Sequence, residues 1–180
     1  HQFIRKQMNQ MLPLAFAQDD SGEARVVFLG DSRAIQFVAP MPGYLGSGGP
    51  QVQLLELVDG DDGSVLQFRH AWLQFFEEDR LYDRDPVILL EDIEFAEFEF
   101  MGLDEEGFPT PWTPVWEQWD VLPTAVRLNI EFSEQAVFQW PGLAAGVRVD
   151  ETAVAGQVRP SVYQQKMREL ISGKATDGVE

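Results

Sequence analysis

Gly30-Asp31-Ser32, placed directly after the apolar run Val26-Val27-Phe28-Leu29, is the arrangement in this chain that comes nearest to a catalytic device. A serine on a tight turn becomes a nucleophile when a histidine takes its proton. The only histidines are His1 and His70, and none follows His70, so the downstream base such a serine would use is missing. Residues 33–38 also alternate like a strand, where a nucleophile turn would open a helix. Strand-turn-strand is the reading that fits. Asp59, Asp61 and Asp62 cluster as calcium ligands do, but counting from Asp59 puts Gly63 at position five, Ser64 at six and His70 at twelve. A calcium loop needs an oxygen ligand, a glycine and a glutamate there. A hairpin turn accounts for the cluster better. Glu77, Glu78, Asp79, Asp83 and Asp85 read as a solvated loop, and His70, within F-R-H-A-W, as a lone strand histidine. Trp112, Trp116 and Trp119 are spaced as a sugar-stacking platform could be, yet Pro109, Pro111 and Pro114 among them favour aromatic cover for a sheet edge.

Composition narrows the chemistry further. There is no cysteine, so thiolate nucleophiles, thiolate metal sites and disulfides are excluded. With two histidines a multi-histidine metal site would have to recruit the terminus, and no metal or cofactor is expected. Thirty acidic against thirteen basic residues give a net charge of -17, which repels nucleic-acid phosphates and anionic lipid headgroups. With so many carboxylates, pairs suited to glycoside hydrolysis discriminate nothing. The 180 residues, 44% of them hydrophobic, are enough for one domain with a sizeable core. No apolar run reaches the roughly 20 residues of a membrane span.

The elements that must position these residues follow from periodicity. Ile4, Met8, Met11 and Leu12 fall on one face of a helix, with Phe3 and Gln7 flanking, and Pro13 opposes its continuation. This helix has no start signal, so the native helix is expected to extend upstream of residue 1. Arg25–Leu29 and Ala34–Val38 read as strands, and 40–50, with its glycines and prolines, as a loop. Val52–Val58 and Val65–Phe76 form a hairpin about Asp59–Gly63, with a helical alternative over Trp72–Arg80. In the strand Asp92–Phe100, Ile93 and Phe95 share one parity and Phe98 and Phe100 the other, which predicts a β-bulge near Ala96 and Glu97 that turns all four inward. Val126, Leu128, Ile130 and Phe132 alternate with Arg127, Asn129 and Glu131 in a further half-buried strand. Short strands are expected at 136–140 and 153–159. Ser161 and Gln164 make a capping-box pattern ahead of a short C-terminal helix that ends near Gly173.

In this order the elements resemble a known family. A helix ending near a proline leads into F-x-G-x4-I-x-F-V, supplied by Phe28, Gly30, Ile35, Phe37 and Val38. An acidic strand, Val87–Phe100, follows, then Trp112, Trp116 and Trp119, and then L-P-T-A-V-R-L with Leu122, Pro123, Val126 and Arg127. Residues 3–132 are similar to the minor pseudopilin J of bacterial type II secretion. The resemblance implies an α+β, pilin-like fold, with an N-terminal helix laid on antiparallel sheet and its membrane-spanning half absent. Residues 1–16 would be the remaining half-helix, 17–160 the β-rich periplasmic head, and 161–180 a short helix and tail.

It also implies a structural rather than an enzymatic role. In that family the protein joins minor pseudopilins I and K, with H nearby, in the tip that starts the pseudopilus, and is anchored in the inner membrane by the upstream helix. Phe3, Ile4, Met8 and Met11 are the candidate partner-facing stripe, and the same residues must also cover the protein's own sheet, two surfaces that they can serve only in part. A minor pilin of a type IV pilus shares the same plan. From other classes, a serine hydrolase of the G-D-S type would lose esterase activity with Ser32, and a carbohydrate-binding module would report glycans through its tryptophans.

Overall fold

The computed structural model describes residues 1–18, 25–41, 49–60, 63–132 and 141–147, all within one compact unit, His1–Arg148. The strand expected at 136–140 and everything from 153 onward, including the C-terminal helix, lie outside the described residues. Chain order runs α1 (Gln2–Asn9), β1 (Ala17–Gln18), β2 (Arg25–Val26), β3 (Phe28–Gly30), β4 (Ala34–Met41), β5 (Gly49–Gly60), β6 (Gly63–Trp72), a 3-10 turn (Glu78–Leu81), β7 (Val87–Met101), β8 (Ala125–Phe132) and β9 (Leu143–Gly146). Strands β3 to β9 form one antiparallel meander in sequence order, and β1 and β2 pair separately. Among the described residues no helix is long and apolar enough to cross a membrane.

The sheet is curled rather than open. The N–H of Phe98 on β7 donates to the carbonyl of Ser32, in the turn after β3, at 3.0 Å, although four strand pairings separate β3 from β7 in the meander. The curl encloses a core in which Phe28, Phe37, Phe68, Phe98 and Phe100 are almost fully buried together with Ile4, Met8 and Met11. A second, smaller cluster on the other side of the central strands joins Val38 and Val52 to Phe16 and Val26. This explains why β4 reads as apolar with little alternation: Ile35, Gln36, Phe37, Val38 and Ala39 are all buried, because both faces are covered.

The α+β expectation of a helix laid on a sheet is overturned. The described chain is mostly β, and its one α-helix spans eight residues, two turns of which plug the curled sheet instead of forming a layer over it. The helix stops at Asn9, short of the sixteen residues expected. Pro13 disfavours α geometry at Leu12, and β3 begins opposite Phe37, leaving the next carbonyl of β4 open. The N–H of Leu12 takes that Val38 carbonyl at 2.7 Å, so the chain leaves the helix to make a bridge.

The bulge in β7 exists but sits earlier than the parity argument put it. Ile93 faces Phe132 and Phe95 faces Glu131, so Glu94 is the extra residue, and Asp92 beside it takes a φ of 57°. The phase slip therefore turns Ile93, Phe98 and Phe100 inward and leaves Phe95 outside at 47% exposure. In β8, Val126, Leu128 and Ile130 point inward and Arg127, Asn129 and Glu131 outward, as the alternation predicts.

Candidate functional site

The Gly-Asp-Ser segment is a turn locked by its aspartate. Asp31 Oδ1 accepts the N–H groups of Arg33 (2.7 Å) and Ala34 (2.9 Å), and the Asp31 N–H donates to the Ala34 carbonyl. An aspartate satisfying the backbone two and three residues on is a structural device. His70 does not serve Ser32. Its Nδ1 lies 2.6 Å from Gln51 Oε1 and its ring stacks on Phe68. Through the register Ala34–Glu56 and Gln53–His70, even Ala34, two residues beyond Ser32 toward His70, is offset from His70 by about 10 Å along the strands and about 10 Å across them. Half-burial pushes the His70 pKa below its ordinary 6.5, and Arg84 adds to the shift.

The aspartates at the β5–β6 hairpin likewise serve structure where they are described. Asp59 accepts from Arg33 at 2.7 Å, and Asp61 and Asp62 lie outside the described residues. Among the described residues no group of three His, Asp or Glu side chains could hold a metal. In the acidic segment after β6, Leu81 is buried and anchors the 3-10 turn, Glu78 accepts from Gln36 at 3.1 Å, and Arg69 lies over the Tyr82 ring while bonding Glu56 at 3.0 Å. Burial is the main reason the Tyr82 phenol pKa is raised.

The tryptophan insert between β7 and β8 covers sheet edges. Thr113 bridges Phe100, Trp116 bridges Gly30, and the Trp119 carbonyl accepts the N–H groups of Val27 (2.7 Å) and Phe28 (3.0 Å). The insert thus pairs with the open edge of β3 and the open edge of the second half of β7, where unpaired backbone would otherwise invite another chain. The Trp116 indole N–H donates to the carbonyls of Gln118 (2.7 Å) and Val121 (2.9 Å), and its ring tilts against Phe100. Trp112 instead lies under the Arg127 guanidinium, 4.4 Å from ring centroid to Cζ. The three tryptophans do not form one platform.

The remaining motif residues have equally definite places. Phe28, Ile35, Phe37, Val126 and Leu122 are buried hydrophobics, and Pro123 is buried beside Leu122. Gly30 has no room for a side chain: a Cβ there would stand 2.6 Å from both the Phe100 and Phe28 rings. Arg127 grips Glu99 on the outer face of β7, and Asn129 donates to the same carboxylate at 2.6 Å.

Of the two surfaces open to the helix stripe, the chain's own sheet takes most of it. Ile4, Met8 and Met11 are 2%, 0% and 1% exposed in the protein's own core, because the curled sheet closes over that helix face; Phe3, half-buried, stacks edge-on against Phe68. Sequence reading also missed Gln7. It is fully buried and accepts a 2.8 Å bond from Gln53 Nε2, which leaves Gln7 Nε2 and Gln53 Oε1 without partners among the described residues. Its position beside the apolar stripe was the available signal, outweighed by its polar type. Nor did periodicity show that Leu103, Phe108 and Val115 of the insert stand exposed.

These placements define a curled antiparallel β domain, in which the motif residues fill the core, close a turn, seal an edge or tie two strands together. No family model matches the chain. Over 142 residues, 78% of this chain, it is 30% identical to the type II secretion system protein J of Xanthomonas campestris pv. campestris. This similarity supports the pseudopilin J resemblance that the motifs of the chain carry. The match spans 66% of that relative's length, just under two thirds.

Proposed function

We propose that the chain is the head of a minor pseudopilin that assembles with the I- and K-type minor pseudopilins, with H nearby, into the tip of a type II secretion pseudopilus. In that role it works on the periplasmic side of the inner membrane, held there by a helix that precedes residue 1, and it supports protein export by association. The observation that carries this reading is the relation to protein J over 78% of the chain. The sealed sheet edges support it in a physical way. Along β3 and the second half of β7, which the insert covers, contacts are left to side chains, and the net charge of -17 opposes self-association.

Of the helix stripe, Phe3 is the residue still partly open to a partner, while Ile4, Met8 and Met11 hold the helix in place behind it. The test is to mix this chain with the purified head domains of the I and K subunits from the same bacterium and follow the mixture by size-exclusion chromatography with light scattering. A complex is expected, weakened by Phe3→Asp. Separate elution at tens of micromolar with both partners would remove the reading.

A further inference from the structure

We propose that a groove in the tryptophan insert is a docking site for a protein segment that presents an apolar side chain next to a lysine or arginine. The groove has a volume of about 420 Å³, within the range of about 300–1,000 Å³ typical of ligand-holding clefts. Leu103 and Val115, each 51% exposed, stand among its lining residues, with Gly102, Pro114 and Trp116. Gly102 is what admits the tryptophan: a Cβ there would meet the Trp116 ring at 2.7 Å.

The indole and the two threonine hydroxyls of the lining are already engaged by the protein itself. The Trp116 indole N–H is held by two carbonyls, Thr110 Oγ1 accepts the Gly102 N–H at 3.0 Å, and the Thr113 hydroxyl donates to the Val115 carbonyl at 3.0 Å. What remains for a guest is mostly hydrocarbon, so the matching chemistry is an apolar side chain. Leaving Leu103 and Val115 half in water has no benefit to the folded monomer, and covering them removes apolar area from solvent.

Charge selects the second half of the guest. From Asp85 to Val126 the sequence holds eleven acidic residues and no lysine, arginine or histidine. Among the described residues only one of the eleven, Glu99, has an ion-pair partner. Glu117 lines the groove, and Asp104, Glu105 and Glu106 follow Leu103 in the exposed turn. A cation beside the apolar anchor would meet an unpaired carboxylate, and the surrounding field would speed its approach and reject acidic segments. The chemistry does not depend on the pseudopilus assignment.

The test uses the purified chain and an acetylated, amidated five-residue peptide alternating leucine and lysine, with tryptophan fluorescence and calorimetry as readouts. Binding is expected, with a change in Trp116 emission. It should weaken at least tenfold in Leu103→Ser/Val115→Ser and several-fold in Glu117→Gln. Both substituted apolar residues are half exposed, and circular dichroism verifies that the variant is folded. Glu77→Gln removes the same charge from the exposed loop after β6 and should leave affinity unchanged. Peptides with glutamate for lysine, or serine for leucine, should not bind measurably. The proposal is overturned if the leucine-lysine peptide fails to bind below millimolar concentration. Equal weakening by Glu77→Gln and Glu117→Gln would reduce the effect to overall charge and overturn it as well.

Discussion

Replacing Gly30 with alanine sets a methyl carbon 2.6 Å from the Phe100 and Phe28 rings, where carbon atoms rest at about 3.5–4.0 Å. Roughly 1 Å of movement must come from two side chains that are both 0% exposed and meet edge to face at 5.6 Å. Overpacking of this kind costs about 1–3 kcal/mol, and distorting the aromatic pair adds some of its ~0.5–1.5 kcal/mol. Against this, alanine restricts the unfolded chain and returns about 0.4–1 kcal/mol. Gly30 is not in the left-handed region, so no backbone strain enters the sum. The net expectation is a loss of about 2 kcal/mol, which lowers the melting temperature by about 4–8 °C for a domain of this size. Urea unfolding followed by tryptophan emission measures it, and Trp116, whose N–H donates to the Gly30 carbonyl, makes the readout local. The decisive arm is Phe100→Leu. If the rings are the obstacle, Gly30→Ala should cost at least about 1 kcal/mol less in the Phe100→Leu background. A loss independent of residue 100, or no loss at all, refutes the steric account.

Three further outcomes are expected. Gln7→Met or Gln53→Met alone should cost about 1–3 kcal/mol by stranding the other buried amide, while the double substitution should be nearly neutral in urea unfolding, since it removes the orphaned Nε2 and Oε1 together. Arg127→Lys should lose about 1 kcal/mol in thermal unfolding, because an ammonium cannot both fork onto Glu99 and lie flat on Trp112; partial exposure of the pair keeps the figure small. Because the folded pKa of His70 is depressed, the unfolded state binds more protons, so its stabilising effect is complete above pH 6.5 and is lost as pH falls below that value toward the folded pKa. His70→Gln should therefore show a flatter dependence of melting temperature on pH than the parent between about pH 5 and 7, and equal slopes would show that His70 is not the group responsible.

Local chemistry was legible wherever a residue's neighbours in sequence are also its neighbours in space. The Asp31 turn, the β5–β6 hairpin and the alternation of β8 were all readable for that reason, since each is closed by bonds between residues near in the chain or by one exposed and one buried face. Parity also announced a bulge in β7. Its position depends on Ile93 meeting Phe132 and on Asp92 accepting a positive φ, which only the partner strand imposes.

By itself, then, the sequence determined most of the long strands, the acidity, the lack of cysteine and an order of motifs that resembles protein J. Only the tertiary structure decided what lies against what. The curl of the sheet, shown by the Phe98–Ser32 bond, withdrew Ile4, Met8 and Met11 from solvent and reduced the expected helical layer to a plug. The reason is physical: an amphipathic pattern specifies that a face must be covered, and the same pattern is satisfied whether the cover is a sibling subunit or the chain's own sheet.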